Sequence, residues 1–450
     1  KNITTGVQNT IVGGLAGDAL TTGQRNVALG YGALSAEDTN GKNVAIGYFS
    51  LLNQNAGTDA HNVAVGYSAG AAVTTGTFNT LIGGQAGQSL TTGANNVAVG
   101  LNALRDEDTG GGNTAIGYEA LQDLNAGADA YNTAVGYTAG ANLTTGVSNL
   151  IVGAFAGDAL TTGDANIAIG RSALSAEDTG NRNIAIGQST LAALDFDGNG
   201  YNIAIGYLAG LSVTSGVRNT LIGGLTGDAI TTGSDNVALG YNSLTSNTIG
   251  NSNVAIGKDS MIANVAADRN VAVGLGTLQN MTSATTTDTY NTAVGYAAGT
   301  AVTTGVQNVL LGGSAGDSLT SANNNVAIGY NAMGSEDTGD GSTAVGHSAL
   351  AAMNYDGYAH NTAIGYHAGK EITSGIKNTI TGGLAGDAIT DGTENTVYGY
   401  FALSNEDNGA SNTAIGAQAL GNQDGGSNNT AIGRQAGLSV STGGNNTILG

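Results

Sequence analysis

Asn43-Val44-Ala45-Ile46-Gly47-Tyr48 and, nineteen residues on, Asn62-Val63-Ala64-Val65-Gly66-Tyr67 are one unit written twice. After the Asn the side chains alternate, with Val44 and Ile46 on one side and Ala45 and Gly47 on the other, which is the period of two of a β-strand. The unit recurs 26 times, from Asn9-Thr10-Ile11-Val12-Gly13 to Asn446-Thr447-Ile448-Leu449-Gly450. Gly fills its column in every copy, and Asn fails only at Ser342. The columns Asn9, Asn26, Asn43, Asn62, Asn79 and Asn113, with Gly13, Gly30, Gly47, Gly66, Gly83 and Gly117, are therefore expected to be structural. The spacing is 17 residues, widening to 19 after Asn43, Asn113, Asn183 and Ser342 and to 21 after Asn270.

A slower rhythm lies over this one. Four coil types follow one another, beginning for example at Asn79, Asn26, Asn43 and Asn62, and blocks start at Asn9, Asn79, Asn149, Asn219, Asn308 and Asn378. The basic block is 70 residues, and the one from Asn219 carries an extra coil and runs 89. No composition shift or linker interrupts the pattern, so residues 1–450 read as a single repeat array. Neither end carries an atypical capping repeat, and the expectation is an excerpt of a longer chain.

A coil this short cannot bury its aliphatics alone, whereas copies stacked in register share one core and pair each strand above and below. The expected fold is all-β: a parallel β-solenoid or β-roll of about 25 coils of 17–21 residues. At roughly 4.8 Å per paired strand it would extend on the order of 120 Å. The third residue after Asn is Val, Ile or Leu in 24 of 26 copies, and this column is expected to line the interior. The Ala and Gly face would then lie against an opposite wall or a neighbouring chain. A second strand is expected in the segment after Gly, and the Thr-Thr-Gly, Asp-Thr-Gly and Asn-Ala-Gly stretches are expected to turn through glycines at positive φ. The Asn column should sit at a corner, bonding to its equivalents in adjacent coils and taking unusual backbone angles.

Composition agrees with an uninterrupted ladder. Of 450 residues 76 are Gly and none is Pro, Cys or Trp. A ladder residue must donate its N–H, which Pro cannot do. Without Cys there is no disulfide, thiolate metal site or cysteine nucleophile. The formal charge of −21 repels phosphate backbones, which argues against nucleic-acid binding. Acidic pairs recur at one coil position: Glu37-Asp38, Glu107-Asp108, Glu177-Asp178, Glu336-Asp337 and Glu406-Asp407. At least four coils apart, they would stand about 19 Å or more from one another, beyond a Debye length of about 8 Å. They are expected to be solvated turns.

The apparent chemical motifs fail against the repeat. Gly66-Tyr67-Ser68-Ala69-Gly70 fits G-x-S-x-G, yet equivalent positions hold Thr138, Leu208, Ala297 and His367, so no nucleophile is expected at Ser68. His61 and His360 stand in a column that Tyr131, Tyr201 and Tyr290 fill elsewhere, and His360 with His367 lacks a recurring metal partner. Asp195, Asp197 and Asn199 begin like a calcium loop, but its twelfth position is Gly206 where a bidentate Glu is needed. No cofactor is therefore expected, with calcium at these three residues the one weak candidate. The tyrosines after Gly, such as Tyr31, Tyr48, Tyr67, Tyr118, Tyr137 and Tyr207, are read as a ladder between coils in preference to a sugar-binding stripe.

The unit Asn113-Thr114-Ala115-Ile116-Gly117-Tyr118-Glu119-Ala120 resembles the head repeats of trimeric autotransporter adhesins and related repeats of bacteriophage tail fibres. That resemblance covers nearly the whole chain. It implies a left-handed parallel β-roll in a homotrimer exposed on a cell or virion surface, with no membrane insertion by this segment. The functional expectation is a non-enzymatic, extracellular structural or adhesive fibre segment that meets itself and surface glycans or matrix proteins. A subunit of a self-assembling extracellular filament and a host-recognising tail fibre are the alternatives.

Overall fold

In the computed structural model, residues 3–283 and 285–450 are described. The chain is an all-β parallel solenoid of about 26 turns, and no helix occurs among the described residues. Each of the 26 copies opens a three-residue strand at the residue after Asn or Ser342, the first at Thr10–Val12 and the last at Thr447–Leu449. Two compact units are formed, Lys1–Gly224 and Leu225–Gly450. Within the first, thirteen strands from Thr10–Val12 to Thr220–Ile222 each pair in parallel with the next. Val44 faces Val63, Ala45 faces Ala64 and Ile46 faces Val65. The second unit repeats this register from Val237–Leu239 to Thr447–Leu449. Its longest coil adds a two-stranded pair, Ala267–Asp268 with Thr287–Asp288.

The Asn column holds the coils together from both sides. Asn62 Oδ1 accepts the backbone N–H of Asn79 at 2.8 Å, and Asn62 Nδ2 donates to the carbonyl of Gly76 in its own coil at 2.8 Å. In the 17-residue coils one amide closes its own coil and caps the next, whereas in the longer coils of Asn113, Asn183 and Asn270 the Nδ2 turns back to the Oδ1 of the preceding Asn. Ser342 keeps the acceptor half of this pattern, receiving the N–H of Asn361 on its Oγ at 3.3 Å. The unusual angle expected of Asn belongs instead to the residue before it, as at Lys42 (φ 64°) and His61 (φ 55°). Gly47 shows why its column never varies: its φ is +136°, and a Cβ there would stand 2.3 Å from the carbonyl oxygen of Gly66 in the next coil.

Three further expectations are corrected. The interior column is the second residue after Asn, not the third: Ala28, Ala45, Ala64 and Leu81 are fully buried, while Leu29 and Ile82 are exposed. Bulk had suggested the reverse, but the coil is thin, and its lumen is already filled from the other walls by Ala33, Leu34, Leu51 and Leu90. No second strand forms after Gly. That segment is a chain of turns, because the sixth and eighth residues after Asn sit at positive φ, as in Phe49 (57°) and Leu51 (46°). Its backbone still bonds coil to coil, Leu34 N–H to Ser50 and Leu51 N–H to Ala69, both at 3.0 Å. Finally, the Thr-Thr-Gly glycines are selected by crowding. Gly76 lacks a positive φ, but a Cβ on it would lie 2.3 Å from the carbonyl oxygen of Gly93.

Core volume accounts for the four-coil rhythm. Coils with Ala at the second position carry Leu at the eighth in two types out of three, as in Ala28 with Leu34 and Ala45 with Leu51. The remaining type has Ala64 with Gly70, and the coil after it has Leu81 with Gly87. Leu81 fills both glycine gaps: a Cβ on Gly70 would lie 2.6 Å from its Cδ1, and one on Gly87 2.7 Å from its Cδ2. Ile151 serves Gly140 and Gly157 in the same way, and Leu310 serves Gly299 and Gly316. The super-repeat thus passes the bulk of one side chain from wall to wall at the close packing of protein interiors.

Candidate functional surface

The strand face turned away from the lumen is uncharged, an aliphatic third column beside a first column in which Thr alternates with Val, Ile and Leu. Its two columns, the first and third residues after Asn, comprise 52 positions in 26 copies, and none is charged. The first column is Thr, Val, Ile or Leu throughout, and the third departs from Val, Ile and Leu only at Thr381 and Tyr398. These side chains are half-buried by their neighbours in the ladder or exposed, Val12 at 57 % and Ile432 at 43 %. β-Branched residues suit a pleated surface, but a solvated sheet face ordinarily alternates with polar side chains. In a chain of charge −21, all 52 positions of these two columns are uncharged.

Beyond the corner Gly stands the aromatic column. Tyr31, Tyr48 and Tyr67 stack at 5.4 and 5.6 Å with ring planes 15° and 9° apart, and Tyr118 stacks on Tyr137 at 5.1 Å. The rings bridge coils, in line with the ladder reading, and still leave their edges in solvent. Phe49 leans on Tyr48 at 4.1 Å, and Tyr330, His347 and Tyr366 continue the ladder at 5.2 and 5.5 Å.

The acidic pairs are split by the fold. The Asp members are half-buried or, at Asp407, exposed, whereas Glu37, Glu107, Glu177, Glu336 and Glu406 are fully buried, so the solvated-turn expectation fails for the glutamates. They occupy the interior column that holds Leu20, Leu90 and Val73 in other coils. Glu177 Oε1 accepts the N–H of Gly180 at 2.6 Å, and its Oε2 that of Phe196 in the following coil at 3.4 Å. Glu406 accepts the equivalent N–H groups of Gly409 at 2.5 Å and Gly425 at 2.8 Å, both on Oε1, while its Oε2 accepts from Gln423 Nε2 at 2.7 Å. Burial pushes Glu177 up to about 7, outweighing these donors, and raises Glu37, Glu107 and Glu336 for the same reason.

The calcium-loop candidates do not converge. Asp195 lies with Glu177 and Asp178, one oxygen of each within 4.8 Å of the others. Asp197 instead accepts the Thr179 hydroxyl at 2.5 Å, and Asn199 is held by Arg182, both partners lying in the preceding coil. In this trio Glu177 is buried with both oxygens accepting N–H bonds, Asp178 is half-buried and Asp195 is exposed. Ser68 is a left-handed turn residue at φ 52°. His61 stacks on Phe78 at 5.4 Å and His360 on Tyr358 at 5.7 Å, while His367 packs on Tyr366 at 3.9 Å.

Two features escaped the sequence reading although their signals were present. An interior column that admits Leu, Val, Gln and Glu but never Lys marks the buried carboxylates. The residue before Asn is never β-branched, and the sixth residue after it is so only at Thr138, which marks the left-handed turns. No protein-family model matches the chain, and no curated protein is similar to it.

Proposed function

We propose that this chain is a non-enzymatic structural and adhesive fibre segment, exposed on a cell or virion surface, that associates with further copies of itself, as a homotrimer, through its uncharged strand face. The observation carrying this reading is that face. Parallel sheets are ordinarily covered on both sides, and here one side is covered by the chain's own core while the other is an uncharged face of aliphatic residues and threonines. Thirteen strands at about 4.8 Å, with a side-chain strip roughly 10 Å wide, present on the order of 600 Å² per unit. The strip of one unit is of the order of the roughly 800 Å² per partner typical of a stable interface. Repetition supplies the adhesive rationale: identical weak contacts along a chain sum when several engage one surface together.

Sedimentation equilibrium tests the association. The chain is expected to sediment as a trimer, and Ile116→Asp with Val135→Asp to shift it toward monomer while circular dichroism stays that of the β-solenoid. A wild-type chain that remains monomeric at micromolar concentration overturns the reading.

A further inference from the structure

We propose that the cleft between Arg25 and Lys42 on the first unit is a binding site for one acidic sugar, a ring that carries a single carboxylate among hydroxyls. The inference rests on the adhesive reading above and names a ligand for it. The residue before Asn stands at a corner of the coil in left-handed conformation, and this one column holds six of the chain's 12 lysines and arginines: Arg25, Lys42, Arg182, Arg218, Arg269 and Lys377. Only Arg25 and Lys42 come from consecutive coils, about 4.8 Å apart along the ladder. Beside them opens a cleft of about 230 Å³, lined by Thr22, Gln24, Arg25, Thr39, Lys42 and Asp59. Three consecutive coils contribute, and Asp59 comes from the lengthened coil that begins at Asn43.

The lining selects the ligand. Among the described residues the Arg25 guanidinium donates from Nε to Gln8 Oε1 at 3.0 Å, which leaves its terminal nitrogens for a carboxylate. Lys42 Nζ meets Asp59 at 2.8 Å, an exposed pair of the kind that contributes little, so the ammonium can be shared with a second carboxylate. The hydroxyls of Thr22 and Thr39 and the amide of Gln24, all on exposed residues, address ring hydroxyls, and Asp59 accepts from one. The lining carries two positive charges and one negative in a chain of −21. At a Debye length of about 8 Å these near charges outweigh the distant ones. Asp38, next to Thr39 in the chain, is half-buried outside the lining. One net positive charge matches a carboxylate better than a dianion such as sulfate. The cleft is smaller than the roughly 300–1,000 Å³ of sites for drug-sized molecules, so it takes one sugar unit. The equivalent corners in the blocks from Asn79 and Asn308 hold Asn95 with Gly112 and Asn324 with Gly341, so one site per chain is expected.

The test is ligand-observed NMR titration of the full chain with glucuronate, N-acetylneuraminate, glucose and sulfate to millimolar concentration. At least one of the two acidic sugars is expected to bind, one per chain, and which of them binds identifies the source of the carboxylate. Glucose should bind at least tenfold more weakly. Arg25→Gln with Lys42→Gln should weaken the acidic sugar at least tenfold, while Arg182→Gln, in the same column elsewhere, should leave it unchanged. The double variant should fold normally, because Gln8 and Gln307 occupy this column at φ 62° and 60°. Absence of binding by both acidic sugars, glucose binding as tightly, sulfate displacing the sugar at equal concentration, or unchanged affinity in the double variant overturns the proposal. Sedimentation of the same samples separates the two readings: a trimer that binds neither acidic sugar sinks the site alone, and a monomer that binds one sinks the association alone.

Discussion

At the scale of single residues, the buried glutamates make stability depend on pH. Glu177 has a pKa of about 7 in the fold against 4.5 as its ordinary value. As pH rises between these values the unfolded chain releases its proton first, so the stability this group contributes is full below about 4.5 and is lost as pH passes 7. Glu37, Glu107 and Glu336 act in the same direction. The apparent melting temperature is therefore expected to fall from pH 5 to pH 8. Glu177→Gln should flatten that slope, since Gln occupies the same column at Gln54 and Gln423 and can still accept the Gly180 N–H. For a unit of this size each kcal/mol corresponds to about 2–4 °C. Asp129→Asn, which removes a charge from an exposed position, is the control. Thermal melts that show the same pH slope for wild type and Glu177→Gln would refute the linkage.

At the scale of the coil, the exchange of bulk between walls can be tested by moving it. Leu81→Ala should cost about 2–5 kcal/mol, because it empties the space shared by Gly70 and Gly87. Gly87→Leu alone should also destabilise, since its Cβ would meet Leu81 Cδ2 at 2.7 Å. Backbone strain is not the obstacle: Leu104, in the same column of the next coil, holds φ 51° against 54° at Gly87. The double variant rebuilds the Ala-with-Leu arrangement of the neighbouring coils and should be more stable than Gly87→Leu and than Leu81→Ala, a coupling that a denaturant double-mutant cycle measures. Additive losses would mean that the two positions do not share volume. This pairing was legible in the sequence, as Ile or Leu at the second position always accompanies Gly at the eighth. What the sequence withheld was the inward side. Alternation separates Ala45 from Val44 and Ile46 without saying which faces the lumen. Size misleads in so thin a coil, where Ala fits and Ile does not. The Asn column and the strand period were readable because each repeats one local geometry. The turns after Gly were not, because their left-handed residues are recorded only as missing β-branched side chains.

For the whole molecule, charge and apolar surface pull association in opposite directions. Each chain brings −21 to any assembly, so copies repel at long range, while the 52 uncharged strand positions attract only on contact. The ion pairs among the described residues lie off the strand face: Lys42 with Asp59 at 2.8 Å and Lys377 with Glu394 at 3.4 Å, for example, join adjacent coils of one chain. Association through the strand face is therefore expected to strengthen as salt rises, because added ions shorten the Debye length from about 30 Å at 0.01 M to about 3 Å at 1 M and leave the apolar contact intact. An interface held by opposite charges would weaken under the same change. Sedimentation equilibrium across that salt range distinguishes the two. A dissociation constant that falls with salt places the contact on the uncharged columns, and one that rises shows that charged side chains carry it. Ile116→Asp should remain the weaker associator at every salt concentration, since screening removes repulsion between chains but not the cost of burying a new carboxylate.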